Sequence, residues 1–242
     1  MSILIDIGNT RLKWAVFDNK QLDIGQVMIN HEINHEKLID VWKGITITPA
    51  QLICASVAGN QLLKLVLSVA TELWPEIKIV PVKVKSKAFG VSIAYQQPGK
   101  LGIDRWLALI AAWNIYALPA CIVDCGTAIT IDLIDAGGHH QGGMICPGLG
   151  LMKSSLAHGT EALPFNEKDY PLEPASFTEA AIYSGTLLAA IGLIEQVFAK
   201  QTGNLLLVLT GGDSDLIAKN LKIKHIIDTH LVLRGLAIVL EK

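Results

Sequence analysis

Charge is scarce in this sequence and nearly balanced, with 20 Lys and Arg against 22 Asp and Glu and a formal net charge of −2. No cluster of Lys or Arg forms a basic stripe, so the electrostatic footprint of a nucleic-acid binder is missing and no nucleic-acid partner is expected. Cysteine is scarce too. Cys54, Cys121, Cys125 and Cys146 show no CxxC spacing and no secretory context, which argues against a disulfide framework and for a reducing, cytoplasmic compartment. No apolar run is long and uninterrupted enough to read as a bilayer span, and no signal-type segment precedes the first strand, so no membrane partner is expected. What the chain has in quantity is apolar residues, 51% of its 242, enough for one large or two moderate cores.

The chemistry begins in the first seventeen residues. Ile3 to Ile5 reads as a buried strand, Gly8-Asn9 as a tight turn, and Leu12, Ala15 and Phe17 as marking a second strand, together a hairpin with a polar tip. At such a tip glycine lets the backbone approach an anion, Asn9 and Thr10 add side-chain donors, and Lys13 supplies a point charge. Asp6 beside them suits a hydrated magnesium ion, which takes one or two carboxylates together with phosphate oxygens. The plainer reading is an N-terminal hairpin with ordinary surface polar residues.

A second copy favours the phosphate cradle. Ile3-Leu-Ile-Asp-Ile-Gly-Asn9 lies over Cys121-Ile-Val-Asp-Cys-Gly-Thr127, with strand, Asp, spacer, Gly and polar residue recurring in order. Two such hairpins near the starts of two halves suggest a duplicated domain with a cleft between the halves. The arrangement resembles the actin and hexokinase superfamily of ATP-binding folds. That resemblance implies an α/β chain: a duplicated actin-like (ribonuclease H-like) two-lobed fold with mixed sheets flanked by helices, one lobe over 1–115 and the other over 116–242.

Between the hairpins, Gln21 to Ile29 reads as one strand, His31 to Trp42 as a short amphipathic helix, Gln51 to Ser56 as a core strand, Asn60 to Leu73 as a helix and Ile77 to Val82 as a strand. Pro98, Gly99 and Gly102 form a loop leading into an apolar helix from Trp106 to Trp113. Asp104 sits at that junction, where capping is its plainer role. In the second half, Ala136 to His140 reads as a turn, His139 and His140 being turn residues rather than metal ligands. The segment from His158 to Ser176, with Pro164, Pro171 and Pro174, reads as a lid or interface loop. Phe177 to Lys200 reads as a long helix, Gly211 and Gly212 as nucleotide neighbours after a strand, and Asp228 to Leu240 as a closing apolar helix.

Four ordered motifs carry a more specific likeness. Asp6-Ile-Gly-Asn-Thr-Arg-Leu-Lys13, Gly102-Ile-Asp-Arg105, Asp124-Cys-Gly-Thr-Ala-Ile-Thr-Ile-Asp132 and Gly142-Gly-Met-Ile-Cys-Pro-Gly148 resemble, in order and spacing, the signatures of type III pantothenate kinases. The resemblance implies transfer of the γ-phosphoryl group of ATP to the primary hydroxyl of pantothenate, the first step of coenzyme A synthesis. By the same resemblance Asp6, Ile7, Gly8, Asn9, Thr10, Arg11, Leu12 and Lys13 form the first ATP loop, with Asp6 near Mg2+, and Thr127 contacts ATP from the second hairpin. Asp104 matches the proton acceptor. Tyr95, Gly102, Ile103, Asp104, Arg105 and Thr178 match pantothenate contacts, and Asp124 matches the ligand of a monovalent cation, K+ or NH4+. The family's homodimer, with its pantothenate pocket at the interface, is implied as well. Two rivals stay open: a non-catalytic transcription accessory factor of the same fold, and a sugar or acetate kinase of the superfamily.

Overall fold

The computed structural model describes residues 1–159, 163 and 168–241, and the contacts within it divide them into two units. The first comprises Met1–Ile115 and the C-terminal stretch from His230; the second is Tyr116–Thr229.

In the first unit, β1 (Ser2–Ile7) is buried at every residue, as befits a central strand covered on both faces. It pairs antiparallel with β2 (Arg11–Asp18), which continues through β3 (Gln21–Ile24) and the two-residue β4 (Met28–Ile29). The single strand expected over 21–29 is therefore two, and Gly25 is the break. Its N–H donates to the Trp14 carbonyl at 3.0 Å, and a Cβ there would strike the Trp14 indole. The helix expected from His31 starts later. A 3-10 turn over Asn30–Glu32 precedes α1 (His35–Trp42), whose cap is Asn34, the side chain accepting the Lys37 N–H at 2.8 Å. β5 (Gln51–Ser56), α2 (Asn60–Leu73) and β6 (Lys78–Pro81) complete a sheet of order β3-β2-β1-β5-β6, with β5 and β6 parallel to β1. Trp14, Trp42 and Trp74 meet between sheet and helices at centroid separations of 6.4 and 5.8 Å. A small hairpin, β7 (Lys87–Ala88) and β8 (Val91–Ser92), leads toward α3 (Ile103–Tyr116). From Arg105 to Ala112 every residue of α3 is buried.

The second unit repeats the plan. β9 (Ala120–Cys125), β10 (Ala128–Ile134) and β11 (His140–Pro147) form an antiparallel meander; α4 (Leu149–Gly159) and α5 (Thr178–Ala199) follow; then come β12 (Leu206–Thr210), α6 (Ser214–Ala218) and β13 (His225–Ile227). The sheet order is β11-β10-β9-β12-β13, strand for strand the order of the first sheet, with β12 and β13 parallel to β9. The duplication read from two short motifs thus extends over whole units.

Three further sequence expectations need revision. His140 is not a turn residue: it opens β11 and is buried, its Nε2 lying 2.8 Å from Asp132 Oδ1. By length and composition α5 is apolar enough to cross a membrane, although no such run was expected. Its Tyr183, Leu187, Ala190, Ile191, Ile194 and Val197 are buried in the core of the second unit, as in the core helix of a globular domain. The closing helix α7 (Leu231–Glu241), expected with the second lobe, packs in the first unit against β1, β2 and β5, and Gly235 sits so close to the Leu107 carbonyl that a Cβ would collide with it. In the 158–176 segment, Pro164 lies outside the described residues. Farther on, Tyr170 stacks edge-on to Tyr183 and Phe177 at 5.9 and 5.4 Å, and the Pro171 carbonyl accepts the Ser184 hydroxyl.

Burial pushes the Cys121 thiol up to about 12 and the Cys125 thiol higher still, the nearby Asp132 and Asp124 carboxylates adding to the respective shifts. Thiolate is the reactive form. At pH 8 the native chain is expected to leave both thiols unlabelled by iodoacetamide, with all four labelled in denaturant, as intact-mass spectrometry would read. Because the folded pKa lies above the unfolded one, the burial costs nothing below about pH 8.5 and erodes stability as pH rises beyond it.

Candidate active site

The first cradle is built by the β1–β2 register. Asp6 pairs with Lys13, so carboxylate and ammonium leave the same face of the ladder as cross-strand neighbours, with Asp6 only 8% exposed. Between the strands lie Gly8, Asn9 and Thr10, the last two exposed together with Arg11, while the side chains of Ile7 and Leu12 are buried in the core. Four carbonyls at and beside the tip are taken up. Ile7 C=O accepts from Val57 N–H at 3.0 Å, Arg11 C=O from Gly8 N–H at 3.0 Å, Gly8 C=O from Asn30 Nδ2 at 2.8 Å and Thr10 C=O from Asn30 N–H at 2.9 Å.

The second cradle has the same wiring on a shorter tip. Cys125 C=O accepts from Asp213 N–H at 2.9 Å, Ala128 C=O from Gly126 N–H at 3.1 Å, and Thr127 C=O from Gly148 N–H at 2.9 Å. Thr127 is exposed at the tip. Asp124 stands opposite Thr130 on one side and Thr210 on the other. Gly211, at φ +93°, presses its Cα against it: a Cβ would come within 2.5 Å of Asp124 Oδ1 and of the Cys125 carbonyl. Glycine is required there on both counts, conformation and space.

A third cluster forms at the start of α3. Asp104, in the first helical turn, accepts the Arg105 N–H through Oδ1 at 2.8 Å, and a Cβ on Gly102 would lie 2.5 Å from that oxygen. The Gly-x-Asp spacing is therefore steric: the bare Gly102 leaves the carboxylate room to fold over the helix mouth, beside half-buried Ile103. Arg105 is buried at 6% exposure and donates from Nη1 to the Tyr95 hydroxyl at 3.0 Å, its guanidinium 5.8 Å from the Tyr95 ring centre. Tyr95, Gly102, Ile103, Asp104 and Arg105 are thus gathered in one place. Thr178, the remaining expected substrate contact, is exposed at the first residue of α5 in the second unit.

Among the described residues no three His, Cys, Asp or Glu side chains form a metal cage. Single carboxylates such as Asp6 and Asp124 suit cations that take their other ligands from phosphate, main chain or water. Two surface depressions of about 410 and 320 Å3 are lined by other residues, among them Asp215 and His225 in one and Trp14 and Gly25 in the other. Asn30 was missed from the sequence. The only available signal was its place, one residue after a strand that pairs with β2.

Two copies of a meander with two parallel strands appended, each with a glycine-tipped hairpin, define the actin-like ATPase fold. A Sinorhizobium meliloti protein described as a 2-dehydro-3-deoxygalactonokinase shares it, with a TM-score of 0.58 at 14% identity and coverage of 98% of this chain and 97% of that one. So does a Campylobacter jejuni protein described as a Baf family transcriptional activator, with a TM-score of 0.62 at 23% identity and coverage of 99% and 98%. Within that class the chain belongs to the type III pantothenate kinase family, whose model matches residues 2–200. A type III pantothenate kinase from Nitrosococcus oceani is 38% identical over 98% of this chain and 92% of its own length.

Proposed function

We infer that this chain transfers the γ-phosphoryl group of ATP to the primary hydroxyl of pantothenate, giving 4'-phosphopantothenate for coenzyme A synthesis in the cytosol. The observation that carries the reading is the paired hairpin tips, whose Gly8, Thr10 and Thr127 carbonyls accept hydrogen bonds within the protein, in a chain of the type III pantothenate kinase family.

Phosphoryl transfer asks for alignment and charge neutralisation rather than covalent help. Residues 6–13 hold the ATP phosphates, with Lys13 as the point charge and Ile7 and Leu12 contributing main chain only, and Thr127 adds a hydroxyl donor. Asp104 accepts the proton as the pantothenate hydroxyl attacks, its carboxylate held at the helix mouth by the Arg105 N–H. Arg105 and Tyr95, hydrogen-bonded to each other, shape the acceptor site together with Gly102 and Ile103, and the family resemblance adds Thr178 as a further pantothenate contact. Asp6 fits Mg2+ as a hard oxygen donor beside the phosphate loop, and Asp124, flanked by two threonines, fits K+ or NH4+. When bound, such cations offset phosphate charge.

A homodimer accords with the apolar surface of the second unit. Met144 and Ile145 on the sheet-edge strand β11 are 48% and 62% exposed, and Leu151 on α4 and Leu188 on α5 are 45% and 51% exposed. An edge strand flanked by such side chains is costly to leave in water.

The test is ADP release by the purified chain with Mg-ATP, across pantothenate, sugars and acetate, in potassium or sodium buffer. Turnover is expected with pantothenate alone and should fall when sodium replaces potassium. Turnover with a sugar or acetate and none with pantothenate, or no turnover at all, overturns the reading.

A further inference from the structure

We propose that Asn30 is a positioning residue for the first phosphate loop, the functional counterpart of Gly148 in the second. The inference rests on the reading of the two hairpin tips as phosphate cradles, and the repeat within the chain supplies the comparison. In the first unit Ile29 of β4 stands opposite Arg11, the first residue of β2; in the second, Pro147 of β11 stands opposite Ala128, the first residue of β10. The next residue in each case, Asn30 or Gly148, turns its N–H onto the last carbonyl of the tip, Thr10 or Thr127, at 2.9 Å in both. The two positions are equivalent in topology and in bonding.

They differ in the side chain, and the tips differ to match. The first tip has one residue more, Gly8-Asn9-Thr10 against Gly126-Thr127. In the second unit the bare Cα of Gly148 lies against the Gly126 carbonyl, where a Cβ would collide. In the first unit the Asn30 amide reaches the corresponding carbonyl, Nδ2 donating to Gly8 C=O at 2.8 Å. One residue thus pins two carbonyls of the loop.

The consequence is electrostatic. A loop that receives phosphate must present N–H groups and keep its carbonyl dipoles turned away, because a carbonyl oxygen facing a phosphate oxygen is repulsive. Asn30 holds the Gly8 and Thr10 carbonyls in that sense before ligand arrives, so no reorganisation is needed on binding. The Oδ1 of the same amide is buried and makes no hydrogen bond among the described residues, so the side chain bonds to the loop by donation through Nδ2.

Asn30→Ala removes the side-chain donor and keeps the backbone N–H. Asn30→Asp keeps the shape and sets an acceptor against the Gly8 carbonyl. Binding of ATP, ADP and adenosine is measured by calorimetry, and KM for ATP and pantothenate by ADP release, on variants with native circular dichroism. With one hydrogen bond to the loop lost, ATP affinity is expected to fall about tenfold in Asn30→Ala and further in Asn30→Asp. ADP should lose less, while adenosine affinity and KM for pantothenate stay within about twofold of wild type on the same reasoning. Equal losses for ATP and adenosine, or no loss for either variant, overturn the proposal in favour of a purely structural asparagine. If the wild-type chain phosphorylates no pantothenate, the kinase reading fails, and the ATP-to-adenosine comparison still decides the role of Asn30.

Discussion

Asp104→Asn is expected to lower kcat for pantothenate phosphorylation by about 10²–10⁴-fold, the range that removal of a general base usually costs. ATP binding and thermal unfolding should stay close to wild type. Asparagine retains an oxygen in the place where Oδ1 accepts the Arg105 N–H at 2.8 Å. The amide also occupies the same room over Gly102, so the helix mouth is not reshaped. What disappears is the capacity to take a proton. Steady-state kinetics with ATP and pantothenate varied separately provide the check. A kcat within about tenfold of wild type would reduce Asp104 to the capping role that its position also suits, a role with an effect on stability rather than on rate. Asp104→Ala gives the contrast: it removes both functions and should lose stability as well as rate.

The parts of the fold that could be read from sequence are those set by local pattern. The buried β1, the glycine tips and the repeat of Asp-x-Gly are all local, and their recurrence was enough to infer two units of one plan. The features that escaped are those decided by a distant partner. Nothing near Gly25 says that Trp14 will lie over it, yet that contact splits the strand expected over 21–29 and creates the short β4, which delivers Asn30 to the tip. The closing helix α7 has an apolar face that demands burial but carries no address; the close approach of Gly235 to the Leu107 carbonyl assigns it to the first unit. His140 reads as a turn histidine until the bulge at Leu133/Ile134 in the β10–β11 ladder brings it onto Asp132. At the candidate site the same division holds. The Gly102-x-Asp104 spacing is a local steric relation and shows in the sequence, whereas the bond from Arg105 to Tyr95 joins two segments ten residues apart through a buried guanidinium.

Gly148→Ala is expected to reduce kcat/KM for ATP by about 10²-fold, the scale of a misplacement of about 1 Å at a catalytic loop. The added methyl has nowhere to go. It would collide with the Gly126 carbonyl and lie 2.7 Å from that of Thr127, and both are backbone atoms of the tip, so no side-chain rotation relieves the clash. Either the tip moves, carrying Thr127 with it, or the chain at Gly148 withdraws and gives up its 2.9 Å bond to the Thr127 carbonyl. Overpacking of this kind costs about 1–3 kcal/mol, which thermal unfolding would detect alongside the kinetics. Gly150→Ala is the matched control. Two residues along, in the first turn of α4, a Cβ meets nothing within 4 Å. Alanine there should be neutral or stabilise the helix by about 0.5–1 kcal/mol. If the two variants behave alike, the close contact at Gly148 has no bearing on the cradle. A large loss at Gly148 with none at Gly150 ties ATP use to one backbone contact at the second tip, where the first tip depends on a side chain.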